Sequence, residues 1–149
     1  MSGSNVREYK ISLDLPCSKK SLLRARWRTL EFARKHGFEK EADDITLAAE
    51  EALKNVIQHA CPPDNKMHLE MVAKGDVMVV EVSDAGHGFN LEAYECKPHS
   101  PYDLCGRGIQ IMRGLMDRVS IVSDTDGTVV RMEKKKRVER EDIREQSGG

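Results

Sequence analysis

The 149 residues are 39% apolar and 33% charged, with a formal net charge of −1. That length suits one ordinary domain with a real core, and the near-neutral balance supplies no global field for nucleic acid or an acidic membrane. No apolar run approaches a membrane span, and Met1 to Glu8 lack the basic-then-apolar plan of a secretory signal, so a cytoplasmic protein is expected.

Tyr9, Ile11, Leu13 and Leu15 alternate with Lys10, Ser12 and Asp14, which predicts a half-buried strand. Pro16 ends it and Ser18 is a fair N-cap for the next element. From 19 to 36 the residues Leu23, Trp27, Leu30 and Ala33 recur at helical spacing, which predicts an inward apolar face. Lys20, Arg24 and Arg28 fall four apart, either as a solvated basic face or as a docking surface for an acidic partner.

A second helix is predicted over 41–60, with Ile45, Ala48, Ala49, Ala52, Val56 and Ala60 as its apolar face. Its acidic first turns suit the positive end of the helix dipole, and Pro62-Pro63 ends it. Steps of four place Glu51, Asn55 and His59 on one stripe. Such a stripe suits plain exposed polar positions, with His59 a structural histidine near the helix end. It equally suits chemistry: an amide oxygen is a hard magnesium ligand, and a carboxylate one turn away can take a proton from a hydroxyl.

Two strands follow, over 66–73 and 76–84, joined at Lys74-Gly75-Asp76 as a tight hairpin. Val77-Met-Val-Val is apolar on both faces, as in a central strand. Asp84 stands at the strand end, with Gly86 and Gly88 after it. The segment 89–105 has no period and contains Pro98 and Pro101; with Gly106 and Gly108 closing it, it reads as a lid or as a plain mobile loop. Gly106-Arg107-Gly108 opens a helix over 109–116, where backbone N–H groups and the arginine suit phosphate. Neither Gly-x-Gly completes a dinucleotide fingerprint, and no P-loop occurs.

Strands over 119–123 and 128–132 form a hairpin turning at Asp124-Thr-Asp-Gly127. From Glu133 the chain is almost wholly charged, which predicts a tail that buries nothing and is disordered beyond about residue 138. One domain over 1–138 is expected, with a charged tail over 139–149. Cys17, Cys61, Cys96 and Cys105 show no C-x-x-C spacing, so reduced thiols are expected.

Glu51-Ala-Leu-Lys-Asn55, Asp84-Ala-Gly86-His-Gly88 and Gly106-Arg-Gly108 resemble the three nucleotide-binding boxes of the Bergerat-fold, histidine kinase-like ATPase superfamily. The Ala49–Ala60 helix and the Gly108–Val119 segment are most similar to the small bacterial anti-sigma-factor serine kinases. The resemblance covers about residues 8 to 135. It implies an α+β fold: a two-layer sandwich, a mixed and mostly antiparallel sheet with helices on one face, and an ATP lid. It implies a serine/threonine protein kinase and anti-sigma factor that uses ATP and Mg²⁺ and phosphorylates an anti-anti-sigma antagonist. The alternative is a non-catalytic ATP/ADP-binding module that sequesters a regulatory partner.

By position, the resemblance implies Glu51 as general base, Asn55 on magnesium, and Asp84 on the adenine amino group with Thr128 behind it through water. Gly86 and Gly88 would form the first lid hinge, and Gly106, Arg107 and Gly108 would meet the phosphates. Arg24 falls about where the family contacts a protein partner. The implied partners are the antagonist, a sigma factor and a second copy of the chain, with no direct nucleic acid and no membrane. The sequence departs from the pattern at Lys54, where the family often has a small hydroxyl residue. His87, Cys96 and Cys105 match nothing in it. No dimerisation helix or phosphoacceptor histidine is apparent upstream, so a complete sensor histidine kinase is not expected.

Overall fold

Alternation of apolar and polar residues builds the sheet in the computed structural model, which describes residues 6–60, 62–86 and 107–137. The strands are β1 (Glu8–Pro16), β2 (Lys66–Lys74), β3 (Val77–Asp84), β4 (Arg118–Asp124) and β5 (Gly127–Lys135). Their order is β1-β2-β3-β5-β4, and each pairing is antiparallel. The sheet is therefore antiparallel throughout the described residues, without the mixed component expected from the sequence.

One sheet face buries Leu13, Leu15, Met67, Leu69, Met71, Met78, Val80, Val82, Val130 and Met132. The other face is polar and carries open ion pairs, Lys10–Glu70 at 3.5 Å and Arg118–Glu133 at 3.6 Å. Solvated pairs of this kind add little stability. The helices α1 (Lys20–Lys35), α2 (Ala42–Asn55) and α3 (Arg107–Leu115) cover the apolar face, with α2 packed against α1, α3 and β3. This is the expected α+β, two-layer arrangement. None of the helices among the described residues is long and apolar enough to cross a membrane.

α1 departs from its predicted inward face. Leu23 and Trp27 are 58% and 66% exposed, while Ser21, Ala25, Thr29, Phe32 and Ala33 are buried. The physical reason is closeness. Ala48, Ala49 and Ala52 on α2 are also buried, and small residues on both helices let their backbones approach. Ser18 does not cap the helix. Lys19 occupies the N-cap without a side-chain hydrogen bond, and the Ser21 hydroxyl donates to the Pro16 carbonyl at 2.6 Å.

α2 buries its predicted alanine and isoleucine face. Across the helix pair, the Arg26 guanidinium holds the buried Glu50 carboxylate with two hydrogen bonds, Nε to Oε1 and a second nitrogen to Oε2 at 3.1 Å. Beyond Asn55 the helix widens into a π-helical turn, Val56–Ala60. His59 lies in this turn and is exposed, unlike the buried Asn55.

β5 runs three residues past its predicted end and overturns the expectation of a charged run that buries nothing. Lys134 is buried. Its ammonium donates to the Leu115 carbonyl and lies 3.5 Å from the Asp44 carboxylate. Arg137 also pairs with Asp44, at 2.8 Å. Alternation explains this: Lys134 continues the inner line of Val130 and Met132, and its ammonium reaches the open carbonyl at the end of α3. The predicted lid over 89–105 and tail over 139–149 lie outside the described residues, as do His87, Cys61, Cys96 and Cys105.

Candidate functional site

Asp84 continues the inward line of Met78, Val80 and Val82 to the end of β3. An acid there would normally find a partner, yet among the described residues only one of its oxygens does so. Oδ1 accepts the Gly86 N–H at 2.8 Å, while Oδ2 is buried with no hydrogen-bond partner. Burial raises the Asp84 pKa above the usual aspartate range; the Gly86 N–H opposes the shift and the Asp64 charge adds to it. A buried acceptor without a partner costs stability, and a ligand or water donor at this position would relieve that cost.

Thr128 sits directly across from Asp84 in the β3–β5 register and is buried. Its hydroxyl shares a 2.8 Å hydrogen bond with the Ser123 hydroxyl from β4. Three strands thus align Ser123, Thr128 and Asp84 in a row on the inner face. Ser123 was not singled out from the sequence, because a serine in a predicted strand carries no signal of its own.

Gly127 sets the spacing of that row. It has φ +141°, and a Cβ built on it would stand 2.0 Å from the Asp84 carbonyl oxygen. Gly127→Ala is expected to cost about 3 kcal/mol, near the top of the range for overpacking. It should also displace Asp84, so chemical denaturation and nucleotide binding should fail together.

Glu51 and Asn55 lie one turn apart on α2. The Glu51 side chain is 15% exposed and Asn55 is 4% exposed. Lys54 Nζ lies 3.5 Å from Glu51 Oε1. The chain after α2 returns to the Asp84 end of the sheet. Asp64 and Asp84 line one concavity of about 440 Å³, together with Asp14, His68 and Ser83. The loop after α2 thus lies beside the end of β3, while Glu51 and Asn55 are not among the residues that line this concavity. A larger concavity, about 660 Å³, lies on the polar sheet face among Lys10, Glu70, Glu81 and Arg131 and includes none of the candidate residues.

α3 begins two residues earlier than predicted, so Arg107 and Gly108 form its first turn. The N–H groups of that turn have no intrahelical acceptor, as at any helix start. Gly88 and Gly106 lie outside the described residues. Arg24 is exposed on α1 beside Leu23 and Trp27, remote in kind from the polar cluster: a basic and aromatic surface. Among the described residues, no group of three His, Cys, Asp or Glu side chains could hold a metal ion. The arrangement offers instead a buried acceptor, a half-buried carboxylate beside a carboxamide, and a helix start with an arginine.

Residues 16–134 match the family described as the histidine kinase-like ATPase domain. The chain is 32% identical over 133 residues to the serine-protein kinase RsbW of Listeria monocytogenes serovar 1/2a, covering 81% of this chain and 84% of that protein. The structure resembles the RsbU and RsbW domains of Rv1364c from Mycobacterium tuberculosis, with a TM-score of 0.67 at 16% identity. That likeness covers 85% of this chain but 32% of the other, so the chain spans about a third of its length. The histidine kinase domain of Erythrobacter litoralis EL346 shares the fold at a TM-score of 0.50 and 20% identity.

Proposed function

The chain belongs to the histidine kinase-like ATPase family, and on that premise we propose that it is an ATP-dependent protein-serine kinase and anti-sigma factor of a partner-switching system. Its substrates are ATP and a serine of a small anti-anti-sigma antagonist. A sigma factor is the alternative partner, a second copy of the chain completes a homodimer, and the cytoplasm is its place of work. The observation that carries this reading is the half-buried Glu51 carboxylate one turn before the buried Asn55 amide.

The Asp84 oxygen that has no partner among the described residues supports an acceptor for the adenine amino group, with Thr128 behind it through water. Gly86 and Gly88 serve as the near hinge of a lid. Gly106, Arg107 and Gly108 face the phosphates with N–H groups and a guanidinium. Asn55 offers a hard amide oxygen of the kind magnesium takes, and magnesium supplies neutralisation of phosphate charge when bound. Glu51 takes the serine proton as the serine oxygen bonds to the γ-phosphorus and ADP departs. Arg24, with exposed Leu23 and Trp27, contacts the protein partner; aromatic and arginine side chains are favoured anchors at such surfaces.

The test uses the purified chain, γ-labelled Mg-ATP and an anti-anti-sigma protein of the same genome. Phosphoserine on the antagonist is the expected result, read by mass spectrometry. A chain that binds Mg-ATP and the antagonist but labels no serine would be a nucleotide-binding module that sequesters its partner.

A further inference from the structure

Lys54 shares an arc of α2 with Glu51 and Asn55. At 3.6 residues per turn, Lys54 and Asn55 flank the line of Glu51 within about 100° of helix surface. The Lys54 ammonium lies 3.5 Å from Glu51 Oε1. The Glu51 side chain is half-buried, at 15% exposure, while the Lys54 side chain is 40% exposed. One charge thus meets one oxygen of the carboxylate, and among the described residues no such contact to Oε2 occurs.

This matters because a general base needs a defined lone pair aimed at the proton it removes. A glutamate with three rotatable bonds does not supply that aim alone. An ammonium at i+3 restricts its rotamers. Lys54 and Glu51 stand on the same helix, so the restraint comes from the element that carries the base.

We propose that Lys54 is a positioning residue that holds Glu51 through Oε1 and presents Oε2 to the acceptor hydroxyl. The role rests on the kinase reading above. In the transfer step, Oε2 takes the serine proton. The serine oxygen forms its bond to the γ-phosphorus. The bond from that phosphorus to the β–γ bridging oxygen breaks, and its electron pair leaves on ADP.

Lys54→Met and Lys54→Arg are compared with wild type in two measurements: the Kd of Mg-ATP, and single-turnover transfer from γ-labelled Mg-ATP to the anti-anti-sigma protein of the same genome. Lys54→Met is expected to transfer about tenfold more slowly, with the Kd of Mg-ATP and the KM for the antagonist unchanged within about twofold. Lys54→Arg should recover most of the rate, since it restores a cation beside Oε1. Equal rates in Lys54→Met and an active wild type would overturn the positioning role alone. An Mg-ATP affinity that falls about tenfold at constant transfer rate would also overturn it, and would make Lys54 a phosphate ligand. Wild type that binds Mg-ATP and phosphorylates no serine removes the kinase reading and this role with it.

Discussion

Glu51→Gln is expected to keep its Mg-ATP affinity and its antagonist binding while losing phosphotransfer by a factor of about 10²–10⁴, the usual worth of a positioned general base. Gln preserves the length and shape of the side chain and leaves Lys54 facing an amide oxygen. It removes the charge and the ability to accept the serine proton. Because Glu51 is half-buried at the Asn55 end of α2, the substitution leaves the helix and its alanine face undisturbed. Single-turnover transfer and the Kd of Mg-ATP, measured on the same preparation, separate the two effects. Equal transfer by wild type and variant would remove Glu51 as the base and move the search to another acceptor.

Asp84→Asn is expected to bind Mg-ATP roughly 10²-fold more weakly, the loss of a hydrogen bond to a charged acceptor worth about 1.5–3 kcal/mol. The amide keeps Oδ1 for the Gly86 N–H but places a donor where Oδ2 stands, facing the donor of an adenine amino group. Nucleotide at 100 times the wild-type Kd stabilises wild type by about 2.7 kcal/mol and the variant by only about 0.4 kcal/mol. Without nucleotide the order reverses. Burial raises the folded-state pKa of Asp84, so the folded protein binds more protons than the unfolded chain between the ordinary aspartate value and the raised one. Stability of the ligand-free protein therefore falls as pH rises through that window and stays lower above it. Asp84→Asn removes that slope and raises the melting temperature of the ligand-free protein above the window. Thermal melts across pH, with and without Mg-ATP, check both signs. A variant with an undiminished nucleotide shift would show that the adenine contact lies elsewhere.

The strands and the buried face of α2 were legible because period-two and helical alternation report directly on burial. Asp84 was legible for the same reason: an acid on the inner line of a strand stands out. Leu23 and Trp27 misled because hydrophobicity was read as depth, whereas a helix that must approach an alanine face buries its small residues. The π-helical turn after Asn55 left no sign, since a single widened turn shifts the pattern by one residue over too short a span. Lys134 was invisible as a buried group because its partners, Leu115 and Asp44, are distant in sequence and one of them is a backbone carbonyl. Gly127 read as an ordinary turn glycine; its close approach to the Asp84 carbonyl exists only once β3 and β5 are paired.

The buried lysine also has a mechanical consequence. Lys134 grips the last carbonyl of α3, and the next residues hold to β5, Asp117 N–H to the Glu133 carbonyl at 2.9 Å and Lys135 N–H to the Asp117 carboxylate at 2.7 Å. α3 is thus a boom fastened at its foot. With nine residues it is about 13 Å long, so a tilt of about 10° around that foot swings the Arg107 end by about 2 Å.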